Sequence, residues 1–136
     1  MFETRIQTFW ADSDAAGIAY FSHFFRFVES AEEDLFRAAG SDRQVVLDEQ
    51  QVWLPRVESF AKFRKPIRVG SAIIVRLHAE FKGLKTVKCR FEIFESEKRE
   101  LLAEGYVTLV RVSRNGFKGI PMPEPIRRVF ETANLS

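Results

Sequence analysis

Only one stretch of this chain carries the spacing of a long helix, and its apolar stripe dictates what the remainder must do. Between Ser22 and Ala39, Phe24, Val28, Ala31, Leu35 and Ala38 recur at steps of four and three, and Phe27 and Ala39 widen the stripe. A face of that width has to be covered. Ser22 is placed to cap the first turn, because its hydroxyl can accept from an amide that has no helical partner there. Gly40 is placed to end the helix in a left-handed conformation.

The cover has a different period. Thr4, Ile6, Thr8 and Trp10 alternate with Arg5, Gln7 and Phe9 in a first strand, and Val57, Ser59, Ala61 and Phe63 alternate with Glu58, Phe60, Lys62 and Arg64 in a second that Pro66 ends. Ile73 to Phe81 and Val87 to Ile93 follow, each with an apolar face and a charged one. Leu101 to Val112 makes a fifth, apolar on both faces at Val107 to Val110. Short polar connections at 82–85 and 96–100 favour antiparallel hairpins. Ser41-Asp42-Arg43-Gln44 has the form of a capping box and predicts a short helix ending near Gln51, over a pocket or a sheet edge. Asn115-Gly116 marks a turn, and Pro121, Pro123 and Pro125 lead into a C-terminal helix from near Glu124. No linker or repeat divides residues 1–136, so the expectation is one α+β domain: a five-stranded antiparallel sheet wrapped around one long central helix.

Charge and cysteine content narrow the function classes. A net charge of +2 from 21 basic and 19 acidic residues gives no case for a nucleic-acid partner. Cys89 is alone, which fits a reducing compartment, and no run of about 20 apolar residues would span a membrane. Met1 to Trp10 lacks the apolar core of a signal peptide, so the expected location is cytoplasmic. Fourteen phenylalanines suit an aromatic pocket or a subunit interface as well as a core. Serine and cysteine nucleophiles are poorly supported: G-x-S-x-G is absent, and Cys89 falls among the apolar positions of a strand. His23 and His78 have no neighbouring ligand cluster in the sequence, so no metal site is expected.

Chemistry is concentrated just before the long helix, in the acidic turn Asp12-Ser13-Asp14. A carboxylate beside the unpaired amides of a helix start combines a nucleophile or base with preorganised donors for a developing oxyanion, as acyl transfer requires. The same two acids would also suit a simple Asx turn. His23, in the first helical turn, would stand beside those amides.

The run D-S-D-A-A-G-I-A-Y-F at 12–21, followed by an aromatic-rich helix with Glu29, resembles the 4-hydroxybenzoyl-CoA thioesterase family, a branch of the hot-dog-fold acyl-CoA thioesterases that includes the Tol-Pal-associated enzymes. Phe63 to Ser71, F-R-K-P-I-R-V-G-S, resembles a second family pattern, with Ser71 where Asp is usual. The resemblance implies a hot-dog fold and hydrolysis of an aromatic or short- to medium-chain acyl-CoA to free acid and CoA. It needs no cofactor, since the CoA thioester is the substrate.

Carried over by position, Asp14 is the catalytic carboxylate and the backbone N–H of Phe21 the oxyanion donor. Gly17 permits the bend, Tyr20 and Phe24 line the acyl pocket, and Glu29 contacts the acyl group. Lys82, Lys85 and Arg64 are the CoA-phosphate candidates. The Tol-Pal branch has a histidine where this chain has Phe21, so its chemistry does not transfer whole. The resemblance also implies a homodimer or homotetramer. The alternative from another class is a hot-dog module that binds acyl-CoA or acyl-carrier protein without turnover.

Overall fold

The computed structural model describes residues 1–14, 16–17, 23–68 and 70–135. Seven strands and three helices follow in the order β1 (Phe2–Gln7), α1 (His23–Ala38), α2 (Arg43–Gln50), β2 (Val52–Trp53), β3 (Arg56–Phe63), β4 (Ala72–Lys82), β5 (Thr86–Glu95), β6 (Leu101–Val110), β7 (Val112–Ser113) and α3 (Glu124–Thr132). Five of the strands form an antiparallel sheet in the order β1-β4-β5-β6-β3, and β2 pairs with β7 in a separate ribbon. Alternation decides which face is buried. Ile73, Val75, Leu77 and Ala79 of β4, Val87, Cys89, Phe91 and Ile93 of β5, and Ala103, Val107 and Leu109 of β6 form one core with the α1 stripe. Each large apolar side chain so buried contributes about 1.5–3 kcal/mol. The expected hot-dog arrangement, a five-stranded sheet with a long helix packed on it, is the observed one.

The helix stripe is rotated from its expected position. Phe24, Phe27, Val28, Ala31 and Leu35 are buried as the spacing requires, but Ala38 and Ala39 are exposed and Phe36 and Glu32 are buried instead. Phe36 is covered because α3 packs there, its Phe130 ring standing edge-on at 5.8 Å. Glu32 is held by two arginines distant in sequence: Arg56 donates to Oε2, and Arg43 lies 3.5 Å from Oε1. Burial pushes the Glu32 carboxyl pKa up, against the pull of those two cations. Gly40, at φ 119°, ends α1 as expected, with its own N–H donating to Arg37 O and that of Ser41 to Phe36 O. The proposed cap Ser22 lies outside the described residues.

The capping box at Ser41 does not form. Asp42 precedes the first turn of α2, and Gln44 donates to Asp48 Oδ1 one turn on. Trp10 leaves the alternation of β1 altogether: it lies in a short 3-10 turn, Trp10–Asp12, and is 86% exposed.

Candidate active site

The second family-like run packs against the chain on either side of the first, at Thr8 before it and Phe24 after it. Thr8, just past β1 and buried, donates through Oγ1 to Ser71 O at 2.7 Å, and Gly70 N–H donates back to Thr8 Oγ1 at 3.0 Å. Ser71 Oγ closes its own turn by donating to Arg68 O. The Arg68–Ser71 turn therefore anchors the segment that carries the acidic turn. Phe63, at the head of the second run, sets its ring 4.4 Å from that of Phe24 in the first turn of α1, the two tilted by 50°.

Asp12 and Asp14 are placed very differently on this platform. Asp12 is buried, and its oxygens are fully used: Arg26 donates from Nε to Oδ1 at 2.7 Å and from Nη2 to Oδ2 at 2.6 Å, Phe9 N–H donates to Oδ2, and His23 Nδ1 lies 3.0 Å from Oδ1. Burial alone would raise the Asp12 carboxyl pKa, but the Arg26, His23 and Phe9 hydrogen bonds outweigh it and hold the pKa below the ordinary aspartate value. Asp14 is exposed. Its Oδ1 accepts from Ala16 N–H at 2.8 Å, and among the described residues no cation reaches it. Asp14 and Gly17, with Trp10, Ala11 and Ser13, line an open cavity of about 540 Å³. Gly17 adopts φ 77°, a bend that glycine makes without strain, and its N–H donates to Asp14 O.

The other expected site residues are scattered. Tyr20 and Phe21, and with them the oxyanion amide, lie outside the described residues. Phe24 is buried in the core. Glu29 is engaged by two arginines, its Oε2 accepting from Arg43 and its Oε1 from Arg56, both at 2.8 Å. Arg64 pairs with Glu104 at 2.9 Å and Lys82 with Glu80 at 3.3 Å, whereas Lys85 has no carboxylate partner among the described residues. Cys89 is buried, and its burial pushes the thiol pKa far up, which removes it as a nucleophile. One charged residue escaped the sequence reading. Arg111, expected only as part of the fifth strand, is 9% exposed with its Nε unpartnered, and burial alone pulls its guanidinium pKa down.

A five-stranded antiparallel sheet on a single long helix, with an exposed carboxylate on the turn that leads to that helix, defines a hot-dog thioesterase domain. The family model described as the thioesterase-like superfamily matches residues 9–130, and the chain belongs to that superfamily. It is 27% identical over 119 residues to the 1,4-dihydroxy-2-naphthoyl-CoA hydrolase of Synechocystis sp., covering 88% of this chain and 86% of that one. With the hydrolase of the same name from a Synechococcus sp. it shares 29% identity over 137 residues, 93% of this chain and 87% of the relative. The crystal structure of a 1,4-dihydroxy-2-naphthoyl-CoA thioesterase from Synechocystis superposes with a TM-score of 0.87 at 26% identity, over 95% of this chain and 94% of that one. None of the described helices is long and apolar enough to cross a membrane.

Proposed function

We propose that this protein is an acyl-CoA thioesterase of the 4-hydroxybenzoyl-CoA thioesterase type, acting on an aromatic acyl-CoA. The observation that carries the reading is Asp14: an exposed carboxylate, not neutralised by any described cation, on the wall of a roomy cavity beside Trp10. The Asp14 side chain either takes the proton of the attacking water or attacks the thioester carbonyl itself; in both cases the carbonyl oxygen gathers negative charge against the amides of the helix start and CoA leaves as the thiolate, and in the second case water then hydrolyses the Asp14–acyl anhydride to free acid and carboxylate. The relatives named for 1,4-dihydroxy-2-naphthoyl-CoA support a fused aromatic acyl group, and exposed Trp10 offers a flat wall for one. Glu29 takes no part in acyl recognition in this reading, since both of its oxygens accept from arginines.

A second copy completes the site. β3 ends the sheet, and Val57, Phe60 and Phe63 are exposed along it, an apolar edge that a folded chain rarely leaves bare. Two β3 edges paired antiparallel about a two-fold axis would set the Arg56 end of one copy beside the Phe63 end of the other, and Phe63 marks the end of the sheet that carries Asp14. The test is free-thiol release from a panel of CoA esters. Fused-ring and benzoyl esters are expected to turn over at least about tenfold faster in kcat/KM than acetyl or octanoyl esters, the worth of one aromatic contact plus the added apolar area. Equal rates across the panel would contradict the aromatic reading.

A further inference from the structure

The sheet has two edges, and they are finished in opposite ways. β3 ends one of them with Val57, Phe60 and Phe63 exposed. β1 ends the other; it is short and carries Glu3, Arg5 and Gln7 at its exposed positions, features that keep a strand edge from pairing further.

β1 does not cover the whole of β4. The pairing stops at Phe2 with Leu77, and β4 runs on to Lys82. Strand residues repeat with period two, so Ala79 turns its N–H and C=O toward the same edge as Leu77, two residues beyond the last pair. That opening is closed by a side chain. Asn134 Oδ1 accepts from Ala79 N–H at 2.8 Å, and Asn134 Nδ2 donates to Ala79 O at 2.9 Å. One carboxamide thus makes both bonds that a paired strand residue would make, and it leaves no further row of donors and acceptors behind it.

α3 delivers Asn134 to this post. Ile126, Val129 and Phe130 are the buried face of the helix, and just past it Ala133 O accepts from Phe2 N–H at 2.9 Å. Arg127 of the same helix sets its guanidinium 4.2 Å from the ring centre of Phe81, two residues along β4 from Ala79. The tail therefore continues the edge where β1 stops.

We propose that Asn134 is a plug: it occupies, from within the chain, the place where a second copy would add a strand to β4, and so confines strand pairing between copies to the β3 edge. The consequence is closure. Two β3 edges paired about a two-fold axis use each other up and stop at two copies, whereas chains open at both edges keep a free edge after every pairing and add copies without end. The closure rests on the β3 pairing of the proposed function; the plug does not.

The test uses the full chain, read by amide hydrogen exchange, melting, and sedimentation over a range of concentrations. In the parent, Ala79 N–H is expected to exchange as slowly as that of Val75, which lies inside the β1 pairing; a fast Ala79 amide overturns the proposal. Asn134→Ala is expected to speed exchange at Ala79 about tenfold, the worth of one hydrogen bond, with Val75 unchanged, and to sediment at sizes that grow with concentration beyond the parent's. Unchanged exchange at Ala79 or a parental size overturns it.

Two further variants separate the plug from mere loosening of the tail. Asn134→Asp keeps an acceptor for Ala79 N–H and puts a charge on the edge, so it is expected to hold the parental size. Val129→Ala loosens α3 without touching either Asn134 bond, so it is expected to melt lower and also hold the parental size. Growth of either variant to match Asn134→Ala overturns the proposal. If the parent sediments as a single chain, the β3 pairing fails, and the plug is then read from Asn134→Ala alone, which is expected to associate where the parent does not.

Discussion

Asp12 and Asp14 lie one residue apart and have been given opposite work. Asp12 makes four side-chain polar contacts with three residues and has almost no contact with solvent; it ties the 3-10 turn to His23 and Arg26 in the first turn of α1. Asp14 has one backbone donor and an open cavity. A buried, fully paired carboxylate is a poor base, because taking a proton would break the bonds that hold it; an exposed one with spare lone pairs can act. The fold thus uses Asp12 to position the turn and leaves Asp14 open to the cavity. His23 belongs to the first role, engaged through Nδ1 with Asp12.

The widest separation between the two acids is expected in turnover. Asp14→Asn keeps the shape and the bond to Ala16 but removes basicity, and kcat for an aromatic acyl-CoA should fall by about 10² to 10⁴ with KM within a fewfold and the unfolding midpoint unchanged. Near-parental kcat would remove Asp14 from the chemistry. Asp12→Asn is expected to show the reverse: a loss of roughly 1–3 kcal/mol in urea unfolding, from the Arg26 and His23 bonds it weakens, with kcat within about tenfold. A stable Asp12→Asn that hydrolyses nothing would exchange the roles.

The smallest effect is in the acid limb of stability. The folded Asp12 pKa lies below its unfolded value, so the unfolded chain binds the extra proton; the stability Asp12 adds is complete above about pH 4 and is lost as pH falls through the folded pKa. Unfolding free energy measured from pH 6 down to pH 3 should therefore fall less steeply in Asp12→Asn than in the parent, and parallel curves would deny Asp12 its paired state.

What the sequence makes legible follows how local each signal is. Alternation placed four of the five main strands and an apolar run the fifth, which ends at Val110 rather than Val112, and Gly40 marked the end of α1, because strand faces and a left-handed cap are decided by a few neighbouring residues. Helical spacing could not show that Ala38 and Ala39 run past the core, or that α3 would arrive to bury Phe36. Glu32 reads as a solvent residue until Arg43 and Arg56 are brought to it. The basic residues divide for the same reason. Lys82 and Lys85 look equivalent along the chain, but Glu80 engages the first, and Arg111 stands out beside the second only once β5 and β6 are in register. Asp14 was legible because the D-S-D turn and its glycine are contiguous; the platform beneath it, built by Thr8 and the Arg68–Ser71 turn, depends on contacts made across the fold.

The central claim is that the cavity at Asp14 cleaves thioesters rather than merely holding them. The most direct measurement is free-thiol release from an aromatic acyl-CoA by the unaltered protein, with substrate in large excess over protein chains. Steady release far beyond one thiol per chain is the expected result. An ester that binds in stoichiometric amount while no thiol appears would contradict the account and leave a binding module in its place.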